Sequence, residues 1–246
     1  MSTFYESSPA LFRHLIEHYG IPDQICPLPS GATRLCGAMT STVDEAMRLL
    51  DLPCRERALD LGCAVGASTF KLRRYFSHVV GIDGSRSFLK AARTLQQSRE
   101  VTAVWEDEKY PSRSCCVRLP ADAIVDGIEF READVDDLPA DLGVFDLVFM
   151  EKVLECLPDP EHSVRQMAAL VAPGGYFVLV SLYWWESELT APNKQLGTPA
   201  QALSRLETAL APHFTREHRF KVPYLIEGNP TGFSYGVAEA LVWKRR

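Results

Sequence analysis

The chain has 246 residues, 46% of them hydrophobic, and a net charge of −6. That length supports a single domain with a substantial core. An acidic balance without basic clustering argues against a nucleic-acid surface, and no apolar stretch approaches the length of a membrane span.

Met1 to Ala10 lacks the basic start and apolar run of an export signal, so the expected location is the cytoplasm. Leu11, Leu15, Ile16 and Tyr19 then recur at helical spacing and predict an amphipathic helix. This helix belongs to a helical lid over residues 1–50. Tyr5, ahead of it, and Tyr19 bring hydroxyls toward a site. Arg34, in the following loop, suits a two-pronged grip on a carboxylate, although an exposed arginine needs no ligand.

Residues 58–66 read Ala-Leu-Asp-Leu-Gly-Cys-Ala-Val-Gly, a buried strand breaking into a small-residue turn at a helix N-terminus near Ser68. Gly62 permits torsions that a side chain forbids, and Gly66 is expected to let a ligand approach the main chain. Cys63 and Ala64 complete the turn, Cys63 as a small packing residue. The nicotinamide fingerprint wants Gly-x-Gly-x-x-Gly, but Ala64 fills the middle slot and no third glycine follows in register. Asp60 repels a pyrophosphate yet can hold an ammonium, directly or through water. The turn therefore suits a nucleotide carrying an amino-acid tail, S-adenosylmethionine (SAM), better than a dinucleotide. An ordinary strand–turn–helix of an α/β core is the bland alternative.

Val79 to Asp83 reads as the next parallel strand, ending in an acid about 20 residues beyond the first glycine, where ribose hydroxyls are commonly held. Gly84 follows it in the loop. Ile128 to Asp134 alternates like a strand and places Asp134 to accept from an adenine amino group, with the Val135 amide facing the ring. Each acid could equally be a helix cap or a solvated loop charge. Phe145 to Met150 is a buried strand running into Glu151. A helix starts at Pro158-Asp159-Pro160-Glu161, with apolar positions Val164, Met167, Ala168 and Val171. Pro173-Gly174-Gly175 stops it before a strand over Tyr176 to Val180. Arg216 to Val222 and Val237 to Lys244 are two further strands. The order predicts an α/β fold. It is a Rossmann-like, mainly parallel seven-stranded sheet with one antiparallel strand and helices on both faces.

On these residues the chain resembles the class I SAM-dependent methyltransferases. Within them it is similar to the C-terminal 5-thiohistidine N-methyltransferase domain of ovothiol-synthesis enzymes. The matching stretches are Tyr5-Glu6-Ser7, His18-Tyr19-Gly20, Leu59 to Gly66, Gly81-Ile82-Asp83, Leu142 to Val148 and Pro173-Gly174-Gly175. They continue in Tyr183-x-Trp185-x-x-Glu188-x-Thr190, Leu196-Gly197 and Val237 to Trp243. Gln195 stands where that family has an aromatic, and residues 101–126 differ in length and carry Cys115-Cys116. The resemblance implies one domain over 1–246, with a SAM-binding core over 55–180 and acceptor-side loops and terminal strands over 181–246.

It also implies a reaction. The donor is SAM and its product S-adenosylhomocysteine (SAH). The acceptor is a small amino acid, a chalcogen-substituted histidine methylated on a ring nitrogen, with a separate synthase to supply it. Asp60, Gly62, Cys63, Ala64, Gly66, Asp83, Gly84, Asp134, Val135 and Glu151 are the expected donor contacts. Tyr5, Tyr19, Arg34, Tyr183, Trp184, Trp185, Glu186 and Phe233 are the expected acceptor contacts, the aromatics stacking on a flat heteroaromatic ring or simply anchoring their loops. Glu151 is the candidate catalytic carboxylate, or a contact to the methionine moiety. No metal is expected, because the seven cysteines lack ligand spacing. Another small acceptor, a nonenzymatic SAM-binding module and, more remotely, a nicotinamide oxidoreductase stay open.

Overall fold

The computed structural model describes residues 3–20, 38–107, 110–229 and 232–246. Arg34 lies outside them, as does the side chain of Phe233. Nine strands and six helices order the described chain. They are α1 (Ser8–Tyr19), α2 (Ala38–Leu49), β1 (Arg57–Leu61), α3 (Ala67–Leu72), β2 (His78–Asp83) and α4 (Arg86–Ser98). Next come β3 (Glu100–Asp107), β4 (Tyr110–Arg118), β5 (Ile128–Glu132), β6 (Phe145–Glu151) and α5 (Pro160–Leu170). The chain ends with β7 (Val171–Ser181), α6 (Pro199–Leu210), β8 (Phe214–Asn229) and β9 (Gly232–Arg245).

Seven strands form one sheet in the order β5-β2-β1-β6-β7-β9-β8. The pairs β5–β2, β2–β1, β1–β6 and β6–β7 are parallel, and β9 runs against both neighbours. The parallel strands are nearly continuous apolar runs because helices cover both faces. Leu59, Leu61, Val148, Met150 and Leu179 pack on one side, and Ala58, Leu147, Phe149, Val178 and Val180 on the other. The chain winds outward from β1 through β2 to β5, then returns to β6 beside β1. This is the reversal of strand order at whose carboxyl ends open α/β sheets bind ligands.

Two expectations need correction. Val171 is not a helical position: α5 ends at Leu170, and β7 begins at Val171 and already includes Pro173-Gly174-Gly175. Gly174 has φ +78°, and the pairing with β6 shifts register there, so these residues form an irregular strand entry rather than a helix stop alone. The last two strands are also longer than their apolar patterns, forming one extended hairpin. Residues 101–118 belong to the stretch that differs in length from the family the sequence resembles. They build an antiparallel hairpin, β3–β4, that packs on α1 through Trp105 against Phe12 (ring centroids 5.7 Å) and Arg113 over Phe12 (5.1 Å). Cys115, buried, and Cys116, less so, sit on its second strand. Helix α6 carries a signal that the periodicity reading passed over, a Thr198/Gln201 capping box with Pro199 in the first turn. Among the described residues no helix is long and apolar enough to cross a membrane.

Candidate active site

The turn after β1 is built by backbone constraint. Gly62 has φ +72°, and a Cβ there would lie 2.1 Å from Val153 Cγ2. The amides of Gly62 and Cys63 both donate to the Ile82 carbonyl, at 2.8 and 2.9 Å. Gly66 has φ +86°, and a Cβ on it would press 2.9 Å from the Phe130 ring. The left-handed backbone and the packing beneath the turn both favour glycine there.

Three non-glycine residues in the left-handed region follow neighbouring strands: Ala64 after β1, Lys152 after β6 and Tyr183 after β7. Such residues cost about 1 kcal/mol or more each and persist where the surroundings hold them. Each here is held through its own amide. Ala64 donates to Asp83 Oδ2 (2.9 Å), Lys152 to the Val180 carbonyl (2.8 Å) and Tyr183 to Glu155 Oε1 (2.7 Å).

The strand ends open onto a cavity of about 580 Å³. Gly62, Ala64, Asp83, Gly84, Asp134 and Val135 line one side. Glu151, Lys152 and Val153 line its centre. Tyr5, His14 and His18 from the N-terminal segment, Phe88 from α4, and Cys156, Leu157, Pro158, Glu188 and Leu189 complete the lining. Asp83 also accepts from the Ser85 amide (2.8 Å), so both carboxylate oxygens are fixed before any ligand arrives. Asp134 is exposed, two residues past β5, and its Oδ1 accepts from the Asp136 amide (3.2 Å). Glu151 ends β6 and is buried. Its Oε2 accepts from Ser68 Oγ (3.3 Å) and its Oε1 from the Tyr224 hydroxyl on β8.

Several expected contacts are brought elsewhere. Asp60, Cys63 and Gly66 do not line the cavity, and the Asp60 carboxylate is turned to accept from Thr69 Oγ1 on α3 (2.6 Å). Tyr19 donates to the Val65 carbonyl (2.8 Å) and braces the turn from behind. Tyr183 is buried, with its hydroxyl on Glu239 Oε2 (3.0 Å). Trp185 Nε1 donates to the Gly197 carbonyl (2.9 Å), and Trp184 stands 64% exposed. Glu186 is exposed and outside the lining, whereas Glu188 is in it. The aromatic loop is thus largely a scaffold. It is pinned by Glu155, whose Oε1 accepts from Ser181 Oγ and the Leu182 amide, both at 2.6 Å, as well as from Tyr183.

Sequence reasoning passed over His14, His18, Lys152 and Cys156 as cavity residues. His14 and His18 stand at the i, i+4 spacing of one helix face, a readable signal. Lys152 lines the cavity from a left-handed backbone position, for which the sequence offers no sign.

Electrostatically the cavity and the turn beneath it are rich in buried carboxyl groups. Burial raises Asp83 to about 6, Asp60 to about 7 and Glu151 to about 8. Lys152 is the cation among the lining residues, with Nζ 3.7 Å from Glu17 Oε2 and 5.0 Å from the Tyr224 ring centre. Burial lowers both His14 and His18, His18 well below the ordinary value, so the histidines add no positive charge near neutral pH. A cationic ligand beside Asp83 and Glu151 relieves that imbalance; a pyrophosphate worsens it. Among the described residues no group of three or more His, Cys, Asp or Glu side chains is placed to hold a metal ion.

Residues 59–179, from β1 to β7, match the family described as "Methyltransferase domain", Methyltransf_11. The methyltransferase GfsG of Streptomyces halstedii is 24% identical over 183 residues, which is 73% of this chain and 56% of that one. The chain spans about half the length of the curated relatives it matches. Among solved structures, the magnesium protoporphyrin IX methyltransferase ChlM of Synechocystis PCC 6803, with bound SAM, superposes with a TM-score of 0.57 at 16% identity. That match covers 99% of this chain and 94% of that one. The N-methyltransferase NodS of Bradyrhizobium japonicum WM9, in complex with SAH, gives 0.51 at 15% identity, covering 96% and 98%. The shared architecture is the Rossmann-like methyltransferase fold.

Proposed function

We propose that this chain is a SAM-dependent methyltransferase acting on a small molecule. The observation that carries the reading is one cavity that gathers Gly62, Ala64, Asp83 and Glu151 at the reversal of strand order, within the stretch that matches methyltransferase domains. Asp83 takes the ribose hydroxyls, Asp134 and the Val135 amide take the adenine, and Gly62, Ala64 and the Glu151 end of β6 border the methionine moiety. The residues present fit this donor. Its sulfonium and ammonium bring positive charge to a pocket where Asp83 and Glu151 are otherwise pushed toward their neutral forms. When bound, the donor supplies an activated methyl for in-line displacement, so the protein's share is positioning and exclusion of water.

The acceptor in this reading is 5-thiohistidine or its selenium analogue, methylated on an imidazole nitrogen and delivered by a separate synthase. Its support is the sequence resemblance together with the acceptor side of the cavity. Lys152 suits an amino-acid carboxylate, and Tyr5 and Cys156, with hydroxyl and thiol 3.4 Å apart, offer donors to a ring sulfur. The sulfur is the stronger nucleophile, so the pocket must hold it off the line of attack.

The test is a panel of thiohistidine, histidine and other small amines, imidazoles and carboxylates, incubated with purified protein and SAM and read by product NMR. A ring N-methyl signal is expected on thiohistidine. An S-methyl product rejects the regiochemistry, turnover of a different acceptor replaces the substrate, and donor binding without any turnover favours a binding module.

A further inference from the structure

Two imidazoles of α1, His14 and His18, line the cavity with ring centroids 5.8 Å apart. Their surroundings differ. His14 Nδ1 lies 2.8 Å from the carbonyl of Ala10, four residues back on the same helix. A carbonyl oxygen only accepts, so Nδ1 carries the proton, and Nε2 of the neutral ring holds an unshared pair on the far side of the imidazole. The ring is boxed by Phe88 (centroids 4.4 Å apart) and by Tyr5 edge-on at 6.2 Å. His18 is buried, and its Nδ1 has no hydrogen-bond partner within the protein. Glu151 is poorly suited to accept the proton, because burial holds it toward its protonated form, at about 8, and Ser68 and Tyr224 already bond its two oxygens.

We propose that His14 Nε2, rather than Glu151, is the general base that accepts the proton released by the acceptor. The proposal rests on the methyl-transfer reading above. The acceptor's lone pair forms a bond to the methyl carbon as the carbon–sulfur bond breaks with its electrons to sulfur. The proton left on the acceptor passes to His14 Nε2, and from there to solvent.

The groups bearing on His14 are consistent with a neutral ring. Burial is the main cause of its lowered pKa. Lys152 at the end of β6 and Arg13 on α1 lower it further, while Glu17 and the Ala10 carbonyl oppose them. His18 and Tyr5 complete the neighbours. A base titrating below the ordinary imidazole value of 6.5 is unprotonated and ready at pH 7.

Two measurements test this. The first uses His14→Asn, whose amide can keep a bond to the Ala10 carbonyl while removing the Nε2 lone pair. SAH affinity is expected to stay within about twofold while kcat falls by about 10²-fold or more. The acid limb of the kcat–pH profile is expected to disappear with it. A variant with wild-type kcat and an unchanged acid limb overturns the proposal. The second is ¹⁵N NMR of the wild-type SAH complex with labelled histidine, which does not depend on a variant folding. It should show His14 at pH 7 as the neutral Nδ1–H tautomer, with its Nε2 resonance moving on addition of thiohistidine or imidazole. An imidazolium, an Nε2–H tautomer or an unmoved resonance overturns it. Failure of the donor reading shows differently, as absence of any SAH binding heat.

Discussion

Asp83 Oδ2 accepts a hydrogen bond from the Ala64 amide at 2.9 Å, tying the end of β2 to the left-handed residue in the turn after β1. One carboxylate therefore shapes the turn and presents itself to the cavity. The same group takes the ribose in the proposed complex. Asp83→Ala should lower SAH affinity about 10- to 100-fold, the range for losing hydrogen bonds to a charged group. Asp83→Asn, which keeps one acceptor oxygen, should lose less. Calorimetric titration of both variants checks this, and wild-type affinity in Asp83→Ala removes the ribose assignment.

Glu151 makes the ligand-free protein sensitive to alkali. Its ordinary value is 4.5, and burial raises it to about 8 in the folded chain. Between those values the folded state binds more protons than the unfolded one, so stability is full below about pH 4.5 and falls as pH rises toward 8. Glu151→Gln should flatten that decline and raise Tm relative to wild type at pH 8 to 9, as read by calorimetric melting. A wild-type Tm that rises through this window, with no change in slope in the variant, contradicts the assignment. SAH, with its ammonium, should stabilise the wild type most at the upper end of the range.

The aromatic loop after β7 is held by Glu155. Glu155→Ala removes the acceptor for one hydroxyl and two amides, and should cost about 2–4 kcal/mol on denaturant unfolding. Trp184→Ala, at an exposed position outside the cavity, should leave stability within about 0.5 kcal/mol and the acceptor KM within twofold. A large rise in KM for Trp184→Ala would mean that the loop folds over the acceptor during turnover.

Gly62→Ala should destabilise through two separable causes. The backbone sits at φ +72°, and the added methyl meets Val153 Cγ2 at 2.1 Å. Val153→Ala on the same background relieves the second and leaves the first, so the double variant should recover part of the Tm and not all of it. Full recovery would show that the turn tolerates a side chain.

The sheet was readable because its central strands are nearly continuous apolar runs ending at acids and glycines. β1, β2 and β6 fall within a residue of the runs 58–61, 79–83 and 145–150. Local pattern failed where structure depends on distant partners. β8 and β9 extend beyond their apolar alternation because each supplies the other's hydrogen bonds, and Val171 leaves its helix to pair with Phe145. At the site, the sequence named the turn, Asp83 and Glu151, all placed by backbone geometry at strand ends. Among the expected acceptor contacts Tyr5 lines the cavity, while Tyr183 and Trp185 bond Glu239 and Gly197, a difference that aromatic residues in a loop do not reveal in sequence. The motif residues Tyr183, Trp185 and Thr190 hold the loop that delivers Glu188 and Leu189 to the cavity. Their pattern was legible, and their task was not.

The central claim is that the crevice at the tips of β1, β2 and β6 grips an activated methyl donor. Isothermal titration of the folded protein with SAH, repeated with SAM and NAD, tests it most directly. The account predicts one saturable site for SAH and SAM, weakened by Asp83→Ala, and no heat with NAD. Absence of binding by both SAH and SAM, or tighter binding of NAD, would contradict it.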